Sequence, residues 1–576
     1  MVEEKSGLPA EVQADIELAS LINASRHGGK ADVGAVIGRV LAEHPELRHS
    51  PSEVGKAVGS TVARVNRLSP SEQQGLLKEK QPDVERHPKK EGRAGLPPLP
   101  GAIEGQTGFR FPPEPSGFMT VGHAMACTIN SIYAETYHGE FWLRFEDTNP
   151  RKVAKRYYDS FREGIGWLGI KWDHEKNVSD DIELIYGYGK KLIEDEKAYA
   201  CSCTLDRVKA LRFEGRACEH RESPVEKSLA VWERMLAKQV REGESVVRFK
   251  GDMSSVNYSL RDPNLFRVIE KAHPLTGERY TVWPTYHLAN TIEDEICRIT
   301  HILRSSEFNA EIQRQIRGAL GFRALSVIQF SRFNFKGTPV GKRLLRPLVE
   351  GKLVSGWDDP RMPTVEGLKR RGVIPEAIRE FTLHVGYTKA EHQYDWSMLL
   401  SINKKLLDPR SKRVFFVPDP IELIVDGAPP KSVSIPFHPD ADLGERMVKT
   451  EGRFFVPKSD VDSLKKGASL RLMELYNIEI TSPDGAAPRA KYTGEELVKE
   501  TKKVQWVVPT GRVEVIVLEP RVLFDDEGKF NAESMGKTSG VAEAAFDSLV
   551  PGTIVQFPRF GFCRIDSPTT CILAQR

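Results

Sequence analysis

Cys201-Ser-Cys203 and Cys218-Glu-His220 set three thiols and one imidazole in two short knuckles separated by 14 residues. That donor set meets the tetrahedral demand of a structural Zn²⁺. Three of the chain's seven cysteines fall within 18 residues beside that histidine, which marks the cluster as a metal-site candidate. Cys127, Cys297, Cys563 and Cys571 are isolated in the sequence, and they read as core thiols. A second group of residues suits anion chemistry. The string Gly108–Phe111 (GFRF) is followed by Pro112, Pro113 and Pro115, a Ser116-Gly117 turn, and an apolar-periodic stretch from Val121 with His123 in its first turn. A helix that starts near Gly122 offers unpaired N–H groups and a positive dipole end, a seat for phosphate. Further on, Gly337-Thr-Pro-Val-Gly341-Lys342-Arg343 places a lysine in a glycine-flanked loop. It is not a P-loop, which needs four residues between its glycines and Ser or Thr after the lysine.

The elements that must hold these groups can be read from periodicity. GFRF is a short strand, VGHAMACTINSIYAETY has helical spacing, and EFWLRFED (140–147) is a second strand. Strand, glycine turn, helix, strand opens a doubly wound nucleotide-binding sheet. Residues 1 to about 75 and about 346–410 have helical spacing, and from about 411 short β-rich runs (RVFFVP, IELIV, GRFFVP, VQWVVP, VEVIVLEP, TIVQFP) predict one or two antiparallel barrels. A polar, Pro-rich stretch, Gln81–Ala102, reads as an exposed linker.

The chain has 576 residues, 83 Lys plus Arg against 80 Asp plus Glu, and a formal charge of +3, which excludes a uniformly basic binder but not a local basic track. Lys336–Gly372 is such a track, with nine basic and four acidic residues. No run of about 18 apolar residues predicts a membrane span. The start MVEEKSGLPAEVQ lacks the features of a secretory signal. Few cysteines for this length point to a reducing, cytoplasmic setting.

FRFPPEPSGFMTVGHA followed by LRFEDTNP closely resembles the signature of class I aminoacyl-tRNA synthetases in the glutamyl/glutaminyl subgroup, over residues about 106–400. The family's His-Ile-Gly-His signature reads Thr120-Val121-Gly122-His123 here, so the first histidine is threonine. Its Lys-Met-Ser-Lys-Ser loop corresponds to Thr338–Arg343, with Val340 and Gly341 in place of Met and Ser and with Lys342 kept. The resemblance implies ATP with Mg²⁺, bound through Pro112, Gly122, His123, Gly341, Lys342 and Arg343, with His123, Lys342 and more weakly Thr120 as catalytic groups. It also implies that Arg110 holds a substrate carboxylate, that Glu146 binds the α-amino group, that Glu114 lies near the terminal adenosine of tRNA, and that Tyr286 lines the amino-acid pocket. Eighteen residues after Tyr286, glutaminyl enzymes usually carry Leu-Cys-Thr, whereas this chain has Leu303-Arg304-Ser305. A guanidinium binds a carboxylate bidentately and would be left partly unpaired by an amide, so Arg304 favours glutamate. The competing reading of Arg304 is a surface pair with Glu307 or Glu311. The knuckles Cys201, Cys203, Cys218 and His220 are similar to a zinc knuckle of some members.

Together these readings imply a multidomain α/β protein of archaeal type. Residues 1–80 form a helical extension and 81–105 a linker. A Rossmann-type catalytic domain is split into 106–180 and 287–345 by an inserted acceptor-end-binding domain, 181–286. A helical stem-contact region covers 346–410 and anticodon-binding β-barrels cover 411–576. The implied activity is ligation of glutamate to tRNA(Glu), and in some members also to tRNA(Gln), by a cytoplasmic monomer that binds no membrane.

Overall fold

The computed structural model describes residues 8–26, 29–44, 46–47, 50–80, 95–308, 310–462, 464–483, 487–498 and 500–576. The chain divides into two compact units, Met1–Ala94 and Gly95–Arg576. The first is helical: α1 (Ala10–Arg26), α2 (Val33–Glu43), α3 (Pro51–Val65) and α4 (Pro70–Lys80). They close on Ile16, Leu21, Val36, Val40, Val54, Val58 and Val62. Asp32 starts α2 by accepting the Ala35 N–H at 2.8 Å, as an N-cap does.

In the second unit, β1 (Gly108–Phe111), β2 (Glu140–Phe145) and β3 (His174–Asn177) are parallel in the order β1-β2-β3, and β8 (His301–Ser305) pairs in parallel with β9 (Ser326–Phe330). β8 lies on the free side of β1, where Thr300 donates its N–H to Gly108 O at 3.0 Å. A Cβ on Gly108 would stand 2.6 Å from Arg298 O, so the close approach requires glycine. Helices α5 (Val121–Thr136) and α6 (Lys155–Trp167) make the crossovers. The spatial order β3-β2-β1-β8-β9 is that of a doubly wound sheet, with the switch of direction between β1 and β8.

The segment between the sheet halves carries α7 (Ile182–Glu194), α8 (Leu205–Glu214), α9 (Val225–Leu236) and an antiparallel sheet of β4 (Ala198–Cys201), β5 (Val246–Phe249), β6 (Asn264–Val268) and β7 (Val282–Pro284). Its core runs on without a break into α10 (Tyr286–Ile296) and α11 (Ala310–Leu320) through Val178, Ile182, Leu288, Ile292, Ile312 and Ile316. The expected boundaries at 180/181 and 286/287 therefore cut through one continuous core. Beyond the sheet follow β10 (Phe333–Phe335), α12 (Lys342–Glu350), α13 (Val365–Arg371), α14 (Pro375–Val385), β11 (His392–Tyr394) and α15 (Trp396–Leu407). Ile378, Phe381 and Leu399 of this helical region join the core of the catalytic sheet.

The C-terminal part holds two six-stranded sheets. One orders Arg453–Pro457, Pro420–Asp426, Arg489–Gly494, Asn477–Ser482, Ser469–Leu472 and Lys502–Val504. Val507 then exchanges N–H···O bonds with Phe455 at 2.7 and 3.0 Å, so the last strand returns to the first. The other orders Phe416–Pro418, Met535–Ala542, Val513–Pro520, Thr570–Gln575, Gly561–Ser567 and Ile554–Phe557. It returns through Val414 N–H to Gln556 O at 3.0 Å. The expected barrels are present, mostly antiparallel, with a few parallel pairs such as Val513–Pro520 beside Thr570–Gln575.

The linker expected at 81–105 is corrected in part. Residues 81–94 lie outside the described residues, but 95–105 packs on the catalytic domain. Leu99 is buried, its N–H bonds the Tyr137 hydroxyl at 2.9 Å, and Pro97 O accepts the Tyr133 hydroxyl at 2.6 Å. Among the described residues no helix is long and apolar enough to cross a membrane.

Candidate active site and metal centre

Ligands of open α/β sheets bind in the crevice beyond the carboxyl ends of the strands, at the switch point. Here that crevice lies beyond β1, β2 and β8, and the residues expected from the sequence gather there. His123 stands in the first turn of α5, where its Nδ1 accepts the Thr120 N–H at 3.2 Å. The imidazole thus plays the part of the acidic or amide residue in a capping box. An accepting Nδ1 puts the proton on Nε2. Burial, with Lys342 adding to it, drives His123 down to about 3. His123 is therefore a neutral N–H donor and not a cation. Thr120 is buried and its hydroxyl lies 3.1 Å from the same Nδ1, beside the imidazole.

Lys342 begins α12 and reaches back over the turn after β1, where Nζ donates to Ser116 Oγ at 2.5 Å. The two sequence signatures, more than 200 residues apart, thus meet. A Cβ on Gly117 would come within 2.7 Å of the Lys342 stem, so glycine makes room for it. Ser116 in turn donates to Glu114 at 2.5 Å. Burial lowers the Lys342 pKa, Glu114 opposes that, and Lys152 and Arg346 add to it. Pro112 is half-buried, and Gly341 and Arg343 are exposed at the start of α12. Gly122 has room for a side chain, its nearest neighbour on adding a Cβ being Phe333 O at 3.8 Å.

Three buried arginines meet beneath this seat. Arg110 on β1 donates from Nε to Asp294 Oδ1 at 3.2 Å, and Arg144 on β2 donates from Nη2 to the same oxygen at 2.7 Å and to Asn290 at 2.9 Å. Burial opposes ionisation of Asp294, yet Arg144 and Arg110 hold its carboxyl below the usual range. Arg304 on β8 spends Nη1 on Gln313 Oε1 at 2.6 Å and on the Tyr286 hydroxyl at 3.4 Å. Tyr286 stacks on Phe308 with centroids 4.6 Å apart.

The nitrogens left without partners discriminate between these cations. Arg110 keeps Nη1 and Nη2, Arg304 keeps Nε and Nη2, and Arg144 keeps Nε and Nη1. The first two pairs each form one edge of a guanidinium, the geometry of a bidentate carboxylate site. The Arg144 pair spans two edges and cannot fork one carboxylate. Glu307 pairs with Arg332, and Glu311 pairs with Arg314 at 2.6 Å. Arg304 itself is only 6% exposed, so the surface-pair reading fails.

Glu146 follows β2 and is buried. Burial pushes its carboxyl up to about 7; the Thr148 hydroxyl bonds it and opposes the rise, as does Arg267, while Glu114 and Asp147 add to it. Sequence reasoning missed Arg144, Asp294, Asn290 and Gln313, and it read Ser116-Gly117 only as a turn. The signal for Arg144 was a cation inside an otherwise apolar strand. Asp294 carried no such signal, since it lies on the polar side of its helix, opposite Leu288, Ile292 and Ile296.

The knuckle residues converge as expected. The donor atoms of Cys201, Cys203, Cys218 and His220 all lie within 4.8 Å of one another. Cys201 Sγ and Cys218 Sγ are 3.8 Å apart, and Cys203 Sγ is 3.4 Å from His220 Nδ1. Four ligands at about 2.3 Å from a tetrahedral zinc stand about 3.8 Å from each other, so the donor set fits that ion. Arg248 Nη1 points at Cys201 and Cys218 from 4.0 and 3.9 Å, which favours thiolates.

The basic stretch is less available than its composition suggests. Arg361 pairs with buried Asp359 at 2.8 Å, Arg370 with Asp566 at 2.8 Å, and Arg371 donates to Ala574 O and Pro520 O. Arg343, Arg346, Lys352 and Lys369 are exposed.

Comparison with known proteins gives the family. A family profile described as tRNA synthetases class I (E and Q), catalytic domain, matches residues 107–409. Two anticodon-binding domain profiles of the same group match 411–493 and 503–566. The chain is similar to a glutamate–tRNA ligase of Cenarchaeum symbiosum, 39% identical over 560 residues, covering 97% of this chain and 98% of the relative. A glutamate–tRNA ligase of Nitrosopumilus maritimus is 38% identical over 569 residues, covering 98% and 100%. One of Pyrococcus furiosus is 40% identical over 562 residues, covering 95% and 96%.

Proposed function

The chain belongs to the class I tRNA synthetases of the E and Q group, and from that membership we infer that it is a glutamate–tRNA ligase. Glutamate and ATP give glutamyl-adenylate and pyrophosphate, and the acyl group then passes to the terminal adenosine of tRNA(Glu). The observation that carries the amino-acid choice is the buried, unpartnered Nε/Nη2 edge of Arg304, which suits the side-chain carboxylate of glutamate. Arg110 offers a second edge from across the pocket, and Tyr286 walls it. Glutamine would leave a desolvated guanidinium without its counter-charge, a loss of about 2–5 kcal/mol.

The substrate carboxylate is already ionised at neutral pH, so activation needs no general base. One carboxylate oxygen attacks the α-phosphorus, the bond to the β-phosphate oxygen breaks, and charge grows on the departing pyrophosphate. Lys342 supplies a mobile cation and His123 a fixed neutral N–H donor to that charge, the arrangement that stabilises such a transition state. Pro112, Gly122, Gly341 and Arg343 border the same seat. Mg²⁺ shares the phosphate charge when ATP is bound. Glu146 faces the α-ammonium and fixes which end of the amino acid reacts. Glu114, tied to Ser116, lies toward the tRNA terminus.

Zinc in the Cys201–Cys203–Cys218–His220 cluster is structural in this reading, and elemental analysis of gently purified protein should find about one ion per chain. The chain acts as a cytoplasmic monomer. ATP–pyrophosphate exchange with tRNA present tests the assignment. Glutamate should support exchange far better than glutamine, and the reverse order would make the chain a glutaminyl enzyme. No exchange with either would make it a noncatalytic tRNA-binding protein. Aminoacylation of purified tRNA(Glu) and tRNA(Gln) reads which RNAs are charged.

A further inference from the structure

We propose that Gln313 is a positioning residue for amino-acid specificity, because by engaging Nη1 of Arg304 it commits the opposite edge of that guanidinium to the substrate carboxylate. The proposal rests on the reading of Arg304 as the side-chain carboxylate site.

A guanidinium has five N–H groups and two edges on which a carboxylate can be received in parallel, Nε/Nη2 and Nη1/Nη2. Which edge is free depends on what occupies the remaining nitrogen. In Arg304 the two protons of Nη1 go to Gln313 Oε1 at 2.6 Å and to the Tyr286 hydroxyl at 3.4 Å. Nε and Nη2 are buried and bare. The amide orientation is forced, since arginine only donates and the NH₂ end of Gln313 would repel it. The contact is also rigid. Gln313 is 4% exposed and is carried by α11, whose Ile312 and Ile316 are fixed in the core shared with α10. Tyr286, the other partner of Nη1, is the first residue of α10, so the two groups that hold Arg304 come from packed helices.

The residue type matters as much as its place. A carboxylate at position 313 would neutralise Arg304 from within and compete with the substrate for it. An alkyl side chain would leave Nη1 free, and the guanidinium could swing to offer either edge. A neutral acceptor orients the cation and leaves its charge uncompensated. The nearby acid, Asp294, already serves Arg110 and Arg144 through one oxygen. The pocket therefore keeps an unbalanced positive charge that glutamate neutralises and glutamine does not.

The test is steady-state exchange with glutamate and glutamine for Gln313→Met, similar in volume without an acceptor, and for Gln313→Glu, with the acceptor kept and a charge added. Wild-type exchange with glutamate is established first; its absence would overturn the functional reading and not this one. Gln313→Met should raise KM for glutamate about tenfold to a hundredfold, the cost of a lost buried hydrogen bond. Its kcat should stay within about threefold, the KM values for ATP and tRNA should not move, and the preference for glutamate over glutamine should fall with the rise in KM. Gln313→Glu should raise KM for glutamate in the same range and weaken the preference in the same way. A merely structural role would lower the melting temperature and leave selectivity intact. Wild-type KM and selectivity in Gln313→Met would overturn the proposal. If that variant does not fold, wild-type values in Gln313→Glu would overturn it.

Discussion

A buried cation without a counter-ion is destabilising, and in this pocket three guanidiniums surround one carboxylate, Asp294. Such an arrangement is stable in function when the ligand completes it. Replacing Arg304 with lysine keeps the charge but loses the planar edge. We expect kcat/KM for glutamate to fall about a hundredfold or more, within the range for a broken buried charge pair, with glutamine exchange little changed. Glu146 adds a pH dependence. Its pKa, raised to about 7 chiefly by burial, leaves it protonated below that pH, so the ammonium of glutamate must displace a proton to bind. As pH rises through about 7, KM for glutamate should fall; Glu146→Gln should abolish this acid limb and keep KM high throughout. Glu293 also has a pKa near 7 and serves as the internal control, because a limb that survives in Glu146→Gln would belong to it. At this scale the candidate roles of Arg304, Tyr286, His123 and Lys342 were legible through the resemblance to the synthetase signatures. Asp294 was not. Its meaning comes from Arg110 and Arg144, 184 and 150 residues away, and an acid within the run Glu293-Asp294-Glu295 ordinarily reads as solvated.

At the scale of elements, two segments depend on contacts that their own sequence does not supply. Helix α8 has no fully buried side chain, and a ten-residue helix that packs its apolar side chains only through half-buried Val208 and Leu211 is marginal in water. The knuckles Cys201–Cys203 and Cys218–His220 stand at either end of it. Cys201→Ser with Cys203→Ser should lose the zinc, and trypsin should then cut at Arg207, Lys209 or Arg212 while the rest of the chain resists; unchanged cleavage would mean that the knuckle holds without metal. The lysine loop has a different support. Gly337 has φ +65°, and a Cβ there would stand 2.9 Å from Val522 Cβ and 3.0 Å from Phe524 O, residues of the second barrel. Phe524 N–H bonds Gly337 O at 3.0 Å. Gly337→Ala should therefore displace the loop that carries Lys342. Adenylate formation should slow by about tenfold to a hundredfold, as small misplacements do, with KM for glutamate unchanged. The knuckles could be read from the sequence because four rare ligands fall close together. The docking of residues 522–524 on the loop could not, because no periodicity or motif links two surfaces so far apart in the chain.

Over the whole molecule, composition misleads about where charge is available. The net charge of +3 hides a basic stretch, but folding uses up part of that stretch. The barrels show the same limit, since their strands were legible as short β-rich runs while their closure through Val507 and Val414 depends on long-range pairing. RNA contacts are electrostatic and weaken with salt, by about one unit of log–log slope for each phosphate neutralised. Among the described residues, Arg343, Arg346, Lys352 and Lys369 are exposed and form no ion pair given by the structure. They lie on and after α12, the helix that begins at the active site. Replacing Lys352 and Lys369 with alanine should weaken tRNA binding and reduce the salt slope by about two units, with glutamate-dependent exchange at saturating tRNA unaffected. Arg361→Ala should do the opposite. It removes the cationic partner of Asp359, which is 1% exposed and keeps hydrogen bonds only from Ser355 and the backbone N–H of residue 361, and should lower stability with the salt slope unchanged. Equal salt slopes for Lys352/Lys369→Ala and the wild type would mean that RNA follows another face, since exposed cations in contact with phosphate must release counterions when it binds.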